Sequence, residues 1–332
     1  MKKNWIILFI ILAFAGSVLA QKHIIKFATL APDGSTWLKV MDELNNDVSQ
    51  LTNGEVKFKI YPGGIQGDEK DVLRKIRLGQ LQSAGFTGVG LGEILSEARI
   101  FDSPLLFKNY QEVDHITSLL YEEFSRKFEE AGYVLLGWTE VGFVYVYGNK
   151  PITSLPDLKG TKMWMWEGDP IAEATFNSLG VSPIPLSITD VLTSLQTKLI
   201  EAVYTSPLAC VSLQWYTRVT YVMDVPLADA AGAVLVSKKA FDKLPENYQL
   251  ILREKGKEYM TRLVQLSRQD NEQSIQLMKK NGMKIVQVPE ANLGEFKLAG
   301  EKARRALVGK LYNQDLLNRV ETALKEFRSQ QK

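Results

Sequence analysis

Residues 133–148 read YVLLGWTEVGFVYVYG, a run of sixteen residues that are mostly apolar, β-branched or aromatic. This composition is typical of β-strands, but an ordinary strand has only about 5–6 residues. We therefore predict one strand that crosses from one lobe of the protein into a second. Glu140 is the one charged residue in the run. Because a buried, unpaired carboxylate is costly, we expect Glu140 to pair with a basic side chain, the backbone or a ligand, and it is a candidate residue of the cleft between the lobes.

On the N-terminal side of this run, short β-rich segments alternate with amphipathic segments. Residues 24–28 are strand-like, and the segment after them has apolar side chains at helical spacing, at Trp37, Val40, Met41, Leu44, Val48 and Leu51. A strand, a helix and a strand follow between residues 56 and 86. This alternation predicts an α/β fold with a parallel sheet covered by helices.

On the C-terminal side, the same alternation recurs between residues 161 and 206, and the β-rich residues 232–237 can return the chain to the first lobe. No proline lies between Pro245 and Gly282. We therefore predict one long helix there, which braces both lobes.

These segments predict two α/β lobes that are connected by more than one crossing of the chain. Lobe I is assigned residues 21–140 and about 232–275, and lobe II about 141–231 and 276–332. Such connections form a hinge, and ligands of such proteins lie in the cleft between the strand ends.

The N-terminus has the order of a secretory signal peptide. Lys2 and Lys3 precede an apolar run from Trp5 to Phe14, and small residues lead to Ala20. The alternative, a membrane anchor, would need roughly 20 apolar residues. We predict cleavage after about Ala20 and export to the periplasm.

Composition argues against several classes of protein. The chain has 40 basic and 38 acidic residues, and loss of Lys2 and Lys3 with the signal leaves the charges balanced, so no nucleic-acid partner is expected. Cys210 is the single cysteine, which excludes a disulfide and a cysteine zinc site and suggests a buried structural thiol. His23 and His115 are the only histidines. We expect no metal, no cofactor and no catalytic relay built on histidine.

Glycine-rich and acidic motifs also fail to indicate an enzyme. Residues 88–92 read G-x-G-x-G rather than G-x-G-x-x-G, which favours a tight loop facing the cleft over a dinucleotide site. Asp68, Glu69 and Asp71 follow Gly67 and fit the first turn of a helix. An exported enzyme on the same scaffold stays an alternative, although the sequence contains no obvious acid–base pair.

Six segments, in order along nearly the whole mature chain, resemble those of the solute receptors of tripartite ATP-independent periplasmic (TRAP) transporters, the DctP-type family. They read IKFATLAPDGSTW, YPGGIQGDEKDVLRKIRLGQLQ, FDSPLLFKNYQEVDHI, KPITSLPDLKGTKMW, LQTKLIEAVYTSPL and GAVLVSKKAFDKLPENYQLIL. The resemblance implies a type II periplasmic-binding-protein fold with hinge strands and no catalysis. It also implies that a small molecule is delivered to a permease of one small and one large membrane subunit. A sensory protein that presents its ligand to a receptor is an alternative.

One position departs from the family pattern. The segment after DLKG usually has an arginine that grips an organic acid, but here GTKMWMW places Trp164 at that position. An indole offers an apolar face and one N–H donor, with no fixed charge. We therefore predict a rather hydrophobic ligand, such as an aromatic or alkyl organic acid. The alternative is a polar carboxylate ligand held by a relocated arginine, Arg99 or Arg74.

The remaining candidate site residues are aromatic or polar. The aromatic candidates for the cleft wall, each of which could instead pack in a core, are Trp37, Phe86, Trp138, Phe143, Trp166, Tyr204 and Trp215. The candidates for polar contacts are Thr205, Ser206, Gln214 and the backbone of residues 88–92.

Overall fold

The structure is a computed structural model that describes residues 23–331. The predicted signal peptide and its cleavage position lie outside the described residues. In the described range, no helix combines the length and apolar character that crossing a bilayer requires.

The first half of the chain alternates strands and helices, as predicted. Its elements are β1 (His23–Ala28), α1 (Thr36–Leu51), β2 (Val56–Tyr61), α2 (Glu69–Arg77), β3 (Ser83–Thr87), α3 (Gly88–Ile94), a 3-10 turn (Ser96–Asp102), α4 (Tyr110–Glu130) and β4 (Tyr133–Gly148). β1 lies between β2 and β3 and is parallel to both. The residues predicted to form a glycine loop after β3 are instead the start of α3, with Thr87 as the N-terminal cap.

The second half contains shorter strands and the longest helix. Its elements are β5 (Trp164–Trp166), α5 (Pro170–Ser178), β6 (Ile184–Leu186), α6 (Val191–Gln196), β7 (Ala202–Thr205), α7 (Pro207–Ser212), β8 (Tyr221–Met223), β9 (Ala228–Ser237), α8 (Lys238–Phe241), α9 (Glu246–Lys280), β10 (Lys284–Val286), α10 (Glu290–Ala306) and α11 (Gln314–Gln330). β5 and β6 form a separate parallel pair. The predicted long helix is α9, with 35 residues.

β4 connects the two lobes, as its length predicted. From Tyr133 to Val144 it pairs antiparallel with β9, which in turn pairs with β3 of lobe I. From Tyr145 to Gly148 it pairs with β7, and its last two residues also pair with β8. Two register shifts, between Leu135 and Gly137 and between Glu140 and Gly142, bend the strand before it enters lobe II.

The long helix α9 packs directly against the crossing strand, and glycines permit the close approach. A Cβ atom on Gly256 would lie 2.8 Å from the Cβ of Leu136 and 3.0 Å from its carbonyl oxygen. A Cβ atom on Gly137 would lie 2.6 Å from the Cβ of Met260. Helix and strand therefore contact through their backbones, so α9 holds the crossing strand in place.

We expect Gly256→Ala to lower the free energy of unfolding by about 1–3 kcal/mol, because the strand backbone cannot move away from the added methyl group. Gly294→Ala in α10 is the matched control. No atom lies within 4 Å of its Cβ position, so alanine there should stabilise the helix by up to about 1 kcal/mol. Equal effects of the two substitutions in urea denaturation would contradict the close packing.

The C-terminal helix packs on lobe I rather than on lobe II, to which we assigned it. Leu316, Leu317, Val320 and Leu324 share a core with α4 residues. Arg328 of α11 also bonds Glu112 of α4. We propose lobe boundaries as predicted from the sequence, except that residues 314–330 belong to lobe I.

Cys210 is a buried free thiol in α7. Burial raises the pKa of this thiol, and a thiolate is the reactive form. We therefore expect a thiol reagent to leave the folded protein unmodified and to titrate one thiol in denaturant. Stoichiometric labelling of the native protein would show that α7 opens readily.

Candidate ligand-binding site

Two adjoining cavities lie between the lobes. The first, here called the aromatic cavity, has a volume of about 140 Å3 and includes Trp164, Tyr204 and Trp215 in its wall. The second, of about 110 Å3, is lined by the residues after β1, including Trp37, by Phe86, and by residues after the start of α7. Thr87, Val141, Ile188 and Ala209 line both. Side chains from both lobes therefore surround one continuous region.

The aromatic cavity has a wall of packed rings centred on Trp164. The Tyr204 ring stacks on Trp164 with 5.0 Å between centroids, and the Trp215 ring meets Trp164 edge-on at 5.1 Å. The Trp164 indole N–H donates to the Leu186 carbonyl over 3.0 Å, which fixes its ring. Trp166 lies two residues further along β5, and since alternate strand residues share a face, it joins the same wall. These rings offer flat apolar surface to a ligand.

One buried guanidinium reaches this cavity, and it is already paired. Arg99 is 3% exposed; its Nε donates to Asp102 over 2.8 Å, and its Nη2 lies 2.9 Å from Asp169. Asp169 also accepts from the Ile171 N–H at the start of α5. Burial raises the pKa of Asp102 to about 6, although Arg99 opposes the shift. The triad connects lobe I to lobe II and neutralises the arginine.

A third carboxyl group in this cavity has no hydrogen-bond partner among the residues that the structure describes. Asp229, in β9, is 1% exposed, and neither of its oxygens has a hydrogen-bond partner within residues 23–331. Burial raises the pKa of Asp229 well above its usual value, and the charges of Glu140 and Asp102 raise it further. Sequence reasoning missed this residue. The sequence feature that could have indicated it is a single acidic residue in a strand, ADAAGAVLVS, that is otherwise almost entirely apolar.

Asp68 forms a latch between the lobes. Its Oδ1 caps α2 by accepting from the Glu69 N–H, as the acidic motif predicted. Its Oδ2 accepts from the Trp166 indole N–H at 3.0 Å and from the Ser187 hydroxyl at 2.6 Å. Both partners belong to lobe II, so the structure represents a closed arrangement of the lobes.

We expect Asp68→Ala to shift the unliganded protein toward an open form, since hydrogen bonds to a charged group contribute about 1.5–3 kcal/mol each. Small-angle scattering should report a larger radius of gyration. Asp71→Ala, which removes an exposed carboxylate paired with Arg74 on the same helix, is the control and should leave the radius unchanged. An unchanged radius in both variants would exclude a role of the latch in closure.

The predicted site residues separate into three groups. The aromatic cavity is lined by Trp164, Trp166, Tyr204, Thr205, Ser206 and Trp215. Trp37 and Phe86 line the adjoining cavity. Four candidates line neither, namely Trp138, Phe143, Gln214 and Glu140.

Each of these four has other neighbours. Trp138 packs in the lobe I core, 4.7 Å from the Phe101 ring, and Phe143 lies 4.8 Å from the Tyr110 ring. Gln214 is exposed, has a positive φ of 61° and immediately precedes a 3-10 turn. Glu140 is bound by Arg268 of α9 through Nε at 3.0 Å and Nη2 at 2.7 Å. Glu140 thus has the basic partner that its burial required, within the hinge rather than the cleft.

Polar backbone groups near residues 88–92 are also less available than predicted. The Gly90 N–H donates to Glu69 over 2.7 Å, and the Thr87 N–H donates to the same carboxylate over 2.7 Å. Arg74, the other candidate for a relocated arginine, is exposed and pairs with Asp71. Within the described residues, no cluster of histidine, cysteine or acidic side chains has the arrangement of a metal site.

A family model and a characterised relative both match most of this chain. The model of the DctP family, described as bacterial extracellular solute-binding protein, family 7, matches residues 27–310. The C4-dicarboxylate-binding periplasmic protein DctP of Rhodobacter capsulatus is 25% identical over 277 residues, 82% of each chain.

Solved structures share the fold. A TRAP solute-binding protein of Desulfovibrio salexigens with bound orotic acid superposes with a TM-score of 0.85 at 20% identity, over 92% of this chain and 99% of the other. One from Ralstonia eutropha with bound (S)-2-acetolactate gives a TM-score of 0.85 at 23% identity, over 91% and 99%. Both of these are two-lobed receptors with a ligand.

Proposed function

Because this chain belongs to family 7 of the bacterial extracellular solute-binding proteins, we propose that its cleft captures a small organic molecule with an aromatic or alkyl body. The chain is a periplasmic receptor of the TRAP type and not an enzyme, and its partners are a small-molecule ligand and the membrane permease to which the ligand is delivered. Its choice of ligand, within this family, therefore depends on the side chains that line its cavity.

The ring wall is the observation that supports an apolar ligand body. The rings of Tyr204 and Trp215 each pack on Trp164 with centroids 5.0 and 5.1 Å away, and all three line one cavity. Flat rings and alkyl chains gain free energy against such a surface, at about 25 cal/mol per Å2 of apolar area removed from water. Thr205 and Ser206 lie in the same wall and can contribute polar contacts.

A small polar carboxylate is the second candidate, and Arg99 is the observation that favours it. Arg99 lines the aromatic cavity, and the relatives compared above are named for binding C4-dicarboxylates, orotic acid and acetolactate. A ligand carboxylate would either add a third negative charge beside the guanidinium or displace Asp102 or Asp169 from it. Because both carboxylates are buried, displacement would leave one of them without its cationic partner.

Thermal unfolding of the mature protein against a panel of compounds separates the two candidates. The protein is first unfolded and refolded to remove any ligand acquired in the cell. A compound at 100 times its Kd should add about 2.7 kcal/mol of stability. Stabilisation by aromatic or alkyl compounds supports the proposal. Stabilisation by small dicarboxylates and sugar acids alone would overturn it in favour of Arg99.

Export and transport have separate tests. We propose that the signal peptide is removed after about Ala20, so N-terminal sequencing of the periplasmic protein should begin at Gln21. A pull-down with the ligand-loaded protein should recover the permease subunits. Recovery of a membrane sensor kinase in their place would assign the chain to ligand presentation rather than transport.

A further inference from the structure

Asp229 is a polar group in the cavity that the proposed function leaves unexplained. It lies opposite Phe143 in the register of β9 and β4, and it lines the aromatic cavity. Neither carboxylate oxygen has a partner within the described residues. Nearly all buried polar groups in folded proteins are hydrogen-bonded, and an exception calls for an explanation. A ligand that donates to Asp229 provides one.

The charges around the cavity favour a cation over an anion. The acidic and basic side chains in its wall are three carboxyl groups, Asp102, Asp169 and Asp229, and one guanidinium, Arg99. Arg99 is bonded to Asp102 and Asp169, which leaves Asp229 facing the cavity without a counter-charge. Three carboxyl groups against one guanidinium disfavour a bound carboxylate. A positive group bound beside Asp229 would stabilise the ionised form of this carboxyl, which burial alone disfavours.

A basic side chain outside the wall, Arg268, acts on Asp229 but is also occupied. Arg268 of α9 contributes to the electrostatics of Asp229, but its guanidinium is bonded to Glu140 and to Asp114. The other ionisable groups that interact with Asp229 are the carboxyl groups of Glu140, Asp102 and Asp114 and the phenols of Tyr110 and Tyr145. Within the described residues, therefore, no basic side chain is hydrogen-bonded to Asp229.

The ring wall adds a second feature suited to a cation. Aromatic faces attract ammonium and guanidinium groups, and such contacts contribute more when both groups are removed from water. Trp164, Tyr204 and Trp215 line the same cavity as Asp229.

We propose that the ligand has a positively charged nitrogen, an ammonium or amidinium group, which donates to Asp229 while the body of the ligand lies against the ring wall. This inference rests on the proposed function, because it concerns the polar end of the same ligand. Asp229 is in this account a specificity-determining residue, and it has no counterpart in the predictions made from the sequence.

The test compares three compounds with one ring and different charge: 2-phenylethylamine, 2-phenylethanol and 3-phenylpropanoate. Their affinities for the refolded mature protein are measured by calorimetric titration. We expect the amine to bind at least tenfold more tightly than the alcohol, and the acid to bind most weakly. In Asp229→Asn the amine should lose at least tenfold in affinity, whereas the alcohol should change less than threefold.

Asp190→Asn is the matched control, because it removes the same charge from an exposed residue of the turn at residues 188–190. It should leave all three affinities unchanged. Tighter binding of the alcohol or the acid than of the amine would overturn the cation while leaving the apolar ligand body intact. Failure of all three to bind would overturn the cation, whereas the apolar ligand body is decided by the compound panel described above. Asp229→Asn should fold, since it replaces an unpaired buried carboxyl with a neutral group of the same shape, and equal unfolding midpoints would verify this.

Discussion

Replacing Arg99 by alanine is expected to lower the free energy of unfolding by about 3–5 kcal/mol, because removal of one partner leaves buried charges unpaired. Arg99, Asp102 and Asp169 are all at most 6% exposed, and the guanidinium holds both carboxylates. Chemical denaturation of the refolded, ligand-free protein measures the loss. The two lobes should also separate more readily, since Asp169 is in lobe II.

Two further variants identify the cause of that loss. Arg74→Ala removes an arginine whose side chain is 70% exposed and pairs with Asp71, so we expect a loss of at most about 1 kcal/mol. The combined variant Arg99→Met, Asp102→Asn, Asp169→Asn removes all three charges and should recover much of the stability. A loss below about 1 kcal/mol for Arg99→Ala would mean that the triad is solvated.

Replacing Trp164 by leucine should weaken the binding of the most stabilising ring compound by about 30-fold or more, equivalent to about 2 kcal/mol. The substitution keeps an apolar side chain but removes the indole face and its stacking on Tyr204. Calorimetric titration well below the unfolding midpoint measures affinity separately from stability.

Trp138→Leu is the control for this substitution. Trp138 is also buried, but it lies in the lobe I core among Phe101, Phe124 and Phe128. Trp138→Leu should lower the free energy of unfolding about as much as Trp164→Leu does. It should leave the affinity for the ligand unchanged. Equal losses of affinity in both variants would show that Trp164 acts through general packing rather than by contact with the ligand.

The fold could be predicted where its signal is local. The apolar run of β4 is longer than one small sheet requires, and the absence of proline before Gly282 allows α9 to continue for 35 residues. The packing of α11 could not be predicted from sequence, because its apolar stripe would fit either lobe. Only its packing against α4 decides between them.

The candidate site was predictable only in part, because side-chain direction depends on distant elements. Trp138 and Trp164 look alike in sequence, since both are tryptophans within β-rich segments. Both are buried in core clusters, but only Trp164 also lines the cavity between the lobes. The pairing of Glu140 with Arg268 joins residues 128 positions apart. No periodicity or spacing indicates a contact of that kind.

The most direct test of the central claim is a crystal structure of the refolded protein with the panel compound that stabilises it most. The account predicts that the body of that compound lies between the lobes against Trp164 and Tyr204, with Arg99 still bonded to Asp102 and Asp169. A compound bound through a carboxylate on Arg99, with or without displacement of Asp102 or Asp169, would contradict it.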